Sequence, residues 1–162
     1  MTLIFVDVEA AGDTPITGIM SEFGAVEFKT RQYYHGRIHE TTPHPDNPAI
    51  PIIGQQLRPR IDVMFEFSTW IFDVSRGNRP TFVSDNPAYD WMWIAAAFDL
   101  CGINNPFGHS ARRIGDFYAG LCGDFYTRQK WKNLRETPHD HHPVNDAMGN
   151  VEAMHRLMQG ER

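Results

Sequence analysis

Two carboxylates stand two residues apart near the N-terminus, Asp7 and Glu9, inside the run Leu3-Ile4-Phe5-Val6-Asp7-Val8-Glu9. If that run is a β-strand, the alternation of side chains places both acids on one face, close enough to share a cation. Neighbouring carboxylates at the end of an apolar strand are costly. A hard divalent ion such as Mg²⁺ or Mn²⁺, which prefers carboxylate and water oxygens, relieves that cost. The bland alternative is a solvated pair at a strand edge. Chance alone gives about 0.6 Asp-x-Glu triplets in a chain this acidic, so the position of the pair carries more weight than its composition.

Three further residues extend the pattern. Asp90 follows Asn86-Pro87 by less than one helical turn, which places it in the first turn of a helix, where acids are favoured in any case. Asp85 is its nearest competitor. His141 and Asp146 form the chain's sole His-x-x-x-x-Asp, with His141 in a loop and Asp146 in the early turns of the last helix. Four carboxylates can hold two divalent cations roughly 3.5–4 Å apart, activating a water and stabilising the leaving 3′-oxygen of an in-line displacement at phosphorus. His141, with an ordinary pKa of about 6.5, suits the general base. His142 is the alternative, since it precedes Asp146 by one helical turn. A structural role is the plain reading for each of His139, His141 and His142, and a zinc site made from them lacks any nearby cysteine.

The elements that must position these residues follow from periodicity and punctuation. Residues 2–8 read as a central strand covered on both faces. Gly12, Pro15 and Gly18 mark a turn, after which residues 24–28 and 33–39 read as second and third strands. Four prolines between Thr42 and Gly54 exclude regular structure and predict a surface loop. Val63, Phe67, Trp70 and Val74 recur at helical spacing over 62–74, and residues 81–84 form a short strand. Asn86-Pro87 opens a helix running to Cys101. Pro143 opens the last helix, whose apolar positions continue to Met158. Strands first, then helices alternating with short strands, describe an α/β chain built on one mixed sheet.

At 162 residues and 41% hydrophobic composition the chain suits one compact domain, 1–162, with a core that needs no staples. Its two cysteines, Cys101 and Cys122, follow no metal-ligand spacing and read as reduced structural thiols. The apolar N-terminal run is broken by Asp7 and Glu9, so it neither crosses a bilayer nor forms a leader, and a cytoplasmic location is expected. A net charge of −5 is unusual for a protein that grips polyanions. Acidity belongs to the site itself if cations lie between the carboxylates and phosphate. Basic residues also cluster locally, at Arg58 and Arg60, at Arg112 and Arg113, and from Arg128 through Lys130 and Lys132 to Arg135.

Taken together, Phe5-Val6-Asp7-Val8-Glu9-Ala10-Ala11-Gly12, Asn86-Pro87-Ala88-Tyr89-Asp90 and His141-His142-Pro143-Val144-Asn145-Asp146 resemble, in order and spacing, the three motifs of the DEDDh 3′–5′ exonuclease superfamily. Glu22-Phe23-Gly24-Ala25-Val26 resembles its second-strand segment, so the likeness spans nearly the whole chain, and it is greatest to the small stand-alone bacterial and phage exoribonucleases. The resemblance implies a ribonuclease H-like α/β fold, a mixed five-stranded sheet flanked by helices. It implies Asp7, Glu9, Asp90 and Asp146 as ligands of two divalent cations, Mg²⁺ or Mn²⁺, and His141 as the base. The partner it implies is the 3′ end of single-stranded RNA, and the oligomer a homodimer. Ala10 stands where many relatives carry Thr, and Asp85 where many carry His, changes that leave the chemistry intact and bear on substrate preference.

Contacts to the terminal nucleotides are less legible. The Ala10 N–H is a candidate donor to the terminal ribose, Asn86 a candidate polar contact, and Trp91 a candidate stacking platform, although Trp beside a helix start is more often core. The competing functions are a DNA exonuclease, because the metal chemistry does not distinguish the sugar, and a non-catalytic nucleic-acid-binding domain of the same fold. Acids at all four positions argue against the second.

Overall fold

The structure is a computed structural model and describes residues 2–39, 58–127 and 129–161. The proline-rich stretch expected as a loop over 42–54, and Arg128 of the basic segment, lie outside the described residues.

The chain folds as β1 (Leu3–Ala11), β2 (Ile19–Glu27), β3 (Tyr33–His39), β4 (Arg58–Pro59), α1 (Arg60–Ser75), β5 (Thr81–Ser84), α2 (Pro87–Leu100), β6 (Ala111–Arg113), α3 (Ile114–Cys122), a 3-10 turn at Lys130–Leu134, and α4 (Pro143–Met158). The strands make one mixed sheet in the order β4-β3-β2-β1-β5-β6. β1, β2 and β3 form the expected antiparallel meander, while β5 lies parallel to β1 and β6 parallel to β5. Among the described residues the sheet therefore has six strands rather than five, because the two-residue β4 extends its edge beside β3.

β1 divides the two cores by simple alternation. Ile4, Val6 and Val8 belong to an apolar cluster with Met64, Phe67 and Ile71 of α1 and with Trp93, Ile94 and Phe98 of α2. Phe5 faces the other way, into a cluster with Ile114 and Tyr118 of α3, Trp131, and Ala147, Val151 and Leu157 of α4. The period of two carries Asp7 and Glu9 onto the Phe5 side, the face that α4 covers. Thus the acids project toward the helix bearing Asp146.

Contact between α4 and the sheet is unusually close at one point. Gly24, paired with Asp7 across the β1–β2 ladder, has no space for a side chain: a Cβ there would lie 2.3 Å from the Pro143 carbonyl carbon. The start of α4 is thereby seated on β2 directly opposite Asp7. Gly149 performs a similar service one turn beyond Asp146, where a Cβ would lie 2.9 Å from the Thr137 carbonyl oxygen.

Besides β4, the strand β6, the helix α3 and the 3-10 turn at Lys130–Leu134 were not anticipated. Arg112 and Arg113, read as a basic cluster, belong to β6, and α3 follows at once. Among the described residues no helix is long and apolar enough to cross a membrane.

Candidate metal centre and its histidine loop

The site lies at the carboxyl ends of the parallel strands β1 and β5, the place where open α/β sheets generally bind ligands. Asp7 comes from the middle of β1 and Glu9 from nearer its end, Asp90 from the first turn of α2 just after β5, and Asp146 from the first turn of α4. Asp7, Glu9 and Asp146 each offer an oxygen to one group whose donor atoms all lie within 4.8 Å of one another. Asp90 stands beside this trio. Its Oδ1 accepts the Val8 backbone N–H at 3.2 Å, and among the neighbouring charges its carboxylate acts most strongly on Asp7.

The electrostatics express the crowding. Burial is the main cause pushing the Asp7 carboxyl up to about 9, with Asp90, Asp146 and Glu9 adding repulsion and Arg135 opposing it. Burial likewise raises Asp90 to about 7 against the restraint of the Val8 N–H. Glu9 is also raised, by burial first, while His141 works to lower it. Three buried or half-buried acids whose charge the protein itself does not neutralise suit an all-oxygen cation site. The residues present therefore fit the divalent cations that the resemblance implies: Asp7, Glu9, Asp90 and Asp146 would hold them.

Arg135 is a largely buried cation beside this region. Its side chain is only 9% exposed, stacks 4.9 Å over Trp131, and donates to Asn150 Oδ1 at 2.5 Å. Lys132, at 2.5 Å, and Arg135, at 3.8 Å, both approach Asp85, and Arg113 donates to the Asp85 carbonyl. Much of the basic cluster read from the sequence is therefore spent on Asp85, the residue preceding the α2 N-cap.

The loop before α4 brings the histidines in. Glu152, buried in the middle of α4, accepts the backbone N–H groups of Glu136 and Thr137 and the Thr137 hydroxyl, pinning the loop's start. Asp140 builds its end, accepting from the His142 N–H through Oδ1 and from Asn145 Nδ2 through Oδ2. These bonds hold the Asp140 carboxyl below the usual range. His141 adopts a left-handed backbone conformation, φ 61°, and its Nδ1 stands 3.7 Å from Glu9 Oε1. His142 turns away: its ring lies 4.8 Å from that of His35, which is held at 2.6 Å by Glu22 Oε2. Of the two histidines weighed from the sequence, His141 is the one facing the acids.

The sequence offers His139 as a structural residue or as one of a lesser histidine zinc set, and gives no sign of its contact with Asp146. The His139 Nδ1 lies 2.5 Å from Asp146 Oδ2. It precedes the motif that carries the resemblance, and a contact set by a left-handed turn leaves no sequence period.

The proposed substrate contacts are placed unevenly. The β1–β2 ladder slips between Glu9 and Ala10, a bulge at the edge of the site, and the Ala10 carbonyl accepts the Tyr89 hydroxyl. Asn86 is exposed at the start of α2, where its carbonyl receives the Tyr89 and Asp90 N–H groups. Trp91 is half-buried against the α1–α2 core with its indole N–H buried and unpartnered, the setting of a packing residue rather than of a presented ring.

Fold and site together define a class, a ribonuclease H-like protein with an acidic cluster at its strand ends. The likeness to the DEDDh 3′–5′ exonucleases expected from the sequence is met again in the comparisons, by sequence with one exonuclease and by fold with another. The chain is 26% identical to the 3′–5′ DNA exonuclease Cap18 of Escherichia coli over 89% of its own length and 84% of that protein's. Its fold matches that of E. coli exonuclease I: a product-bound structure at TM-score 0.67 and 14% identity, covering 99% of this chain and 43% of that one. A complex of the same enzyme with a dA16 oligonucleotide matches at TM-score 0.65 and 13% identity, covering 99% and 41%. The chain thus spans about two fifths of the exonuclease I chains. No protein-family model matches it.

Proposed function

We propose that the chain is a metal-dependent 3′–5′ exonuclease that removes nucleotides from the 3′ end of a single strand, with residues 1–162 as one exonuclease unit. The observation that carries this reading is the gathering of Asp7, Glu9 and Asp146 within 4.8 Å, with His141 at 3.7 Å from Glu9 on the open side. Divalent cations, Mg²⁺ or Mn²⁺, supply Lewis acidity and charge neutralisation when bound.

The chain's own residues do the rest. Asp7, Glu9, Asp90 and Asp146 hold the cations. His141 takes the proton of the attacking water at a ring nitrogen, and Glu9 beside it favours the resulting imidazolium. The water oxygen bonds to phosphorus, the P–O3′ bond breaks, the leaving 3′-oxygen takes a proton from solvent, and a nucleoside 5′-monophosphate leaves a strand shortened by one residue with a new 3′-hydroxyl. The bulge at Ala10 suits a backbone N–H contact to the terminal ribose, and Asn86, exposed beside Asp90, suits a polar contact to the same end. Trp91, packed against the α1–α2 core, would have to swing outward to stack on a base.

The named relatives act on DNA, so single-stranded DNA is put first as substrate, and the RNA 3′ end expected from the sequence takes second place. The homodimer implied by the resemblance is supported by the apolar side chains Ile61, Phe65 and Phe72 exposed along α1, and light scattering tests it. The decisive experiment is a time course with Mg²⁺ or Mn²⁺ on 5′-labelled DNA and RNA oligonucleotides bearing free or blocked 3′ ends. A descending ladder from the free end alone is expected, faster on DNA. No product from any strand, or product released from the blocked end, overturns the reading.

A further inference from the structure

Asp146 belongs to two different groups of donors. One is the all-oxygen set with Asp7 and Glu9. The other is His139, His141 and Asp146, whose donor atoms also lie within 4.8 Å of one another. We propose that His139, His141 and Asp146 form a separate transition-metal site, taking Zn²⁺ in preference to Mg²⁺, whose occupation switches the neighbouring centre off.

Several independent observations point to a ligand there. Asp146 is 1% exposed, and its Oδ2 has no hydrogen-bond partner. His139 Nδ1 approaches that oxygen to 2.5 Å as an ion pair, so an imidazole nitrogen and a carboxylate oxygen crowd one point. The His139 and His141 rings stand 4.7 Å apart. Their side chains are 50% and 76% exposed, which leaves an open path from solvent. The turn holding them is built, not incidental: Asp140 bonds His142 and Asn145, and its own N–H donates to Asp146 Oδ1. Such outer bonds orient ligands in metal sites.

The donor set decides the metal. Two imidazoles and one carboxylate with open positions suit Zn²⁺ and its transition-metal neighbours, whereas Mg²⁺ selects oxygen alone. Bonds of about 2.1 Å in a tetrahedron require donors roughly 3.4 Å apart, within reach by rotation of the two exposed rings. A Zn²⁺ so held occupies the His141 nitrogen that turnover requires and draws on the Asp146 carboxylate. The two sites therefore compete for shared ligands.

The effect on turnover rests on the exonuclease reading, but the site itself does not, and the test has two arms. Co²⁺ is titrated into the Asp7→Asn protein, in which the all-oxygen set is broken, and its visible d–d absorption is recorded. Intense bands of low coordination, displaced by one equivalent of Zn²⁺, are expected, and they disappear when His139→Gln is added. Weak octahedral bands, or bands unchanged by His139→Gln in a protein whose circular dichroism is native, overturn the site. In the second arm, exonuclease activity at saturating Mg²⁺ is titrated with Zn²⁺. His139→Gln is expected to keep most of its Mg²⁺-supported turnover and to need about ten-fold more Zn²⁺ or higher for half-inhibition. Equal inhibition of both proteins overturns the proposal and leaves the exonuclease reading standing. The first arm reads no turnover, so it tests the site even in a chain that hydrolyses nothing.

Discussion

Gly24 and Pro143 meet backbone to backbone, with only 2.3 Å between the Pro143 carbonyl carbon and the place a Cβ would occupy on residue 24. Gly24 pairs with Asp7, and Pro143 begins the helix that bears Asp146 three residues on. One missing side chain therefore determines how near the Asp7 and Asp146 carboxylates come.

Gly24→Ala should separate them. The obstructing atoms are backbone, so the helix must move as a unit, and overpacking of this kind costs about 1–3 kcal/mol. For a chain of this size that corresponds to a fall in Tm of roughly 2–12 °C. Calorimetry should show this loss, together with turnover reduced well beyond the fraction unfolded at 20–25 °C. Native turnover in a stably folded Gly24→Ala protein would show that the helix seat does not govern the acids.

Asp7→Asn should raise the stability of the metal-free protein while abolishing activity. Asp7 keeps its proton in the fold up to about 9, against an ordinary value of 3.8. Between those values the folded state binds the proton that the unfolded chain has released, so stability falls as pH rises through that window. Asp90, raised to about 7, and Glu9, also raised, act in the same direction. Thermal melts in chelator should give a wild-type Tm lower at pH 8 than at pH 5, with a smaller drop for Asp7→Asn. Mg²⁺ should restore the wild type at pH 8 and have little effect on the variant.

His141→Asn should lower kcat by about 10²–10⁴ while leaving cation binding close to wild type, since a base is lost and the four acids remain. His142→Asn should cost far less, because its ring packs against His35 on the Glu22 side. Single-turnover kinetics beside Mn²⁺ titration would separate the two effects. Equal losses would refute the assignment of His141.

Glu152→Ala should loosen the loop that delivers the histidines. It removes a buried acceptor from two backbone N–H groups and a hydroxyl, at a cost of about 1.5–3 kcal/mol for bonds to a charged group. Hydrogen exchange should quicken at residues 136–137, and kcat should fall more than KM rises. Unchanged exchange there would mean that the loop is held by other contacts.

The features legible in the sequence are those that near neighbours determine. An apolar run with acids at 7 and 9 fixes both as strand residues on one face, because side chains alternate. Asn86-Pro87 sets a helix start, and with it the place of Asp90 in a first turn. The steps of three and four residues after Pro143 likewise determine α4 and the position of Asp146 within it. What the tertiary structure alone decided is how these pieces meet. A three-residue strand, Ala111–Arg113, leaves too short a period to read, and two glycines weaken the local signal of α3. Arg135 acts on Asp7, and His139 reaches Asp146, through the seat of α4 on β2 and a left-handed turn at His141. Those contacts join residues whose chemistry is ordinary until packing closes the distance, and no local pattern encodes a distance between segments far apart in the chain.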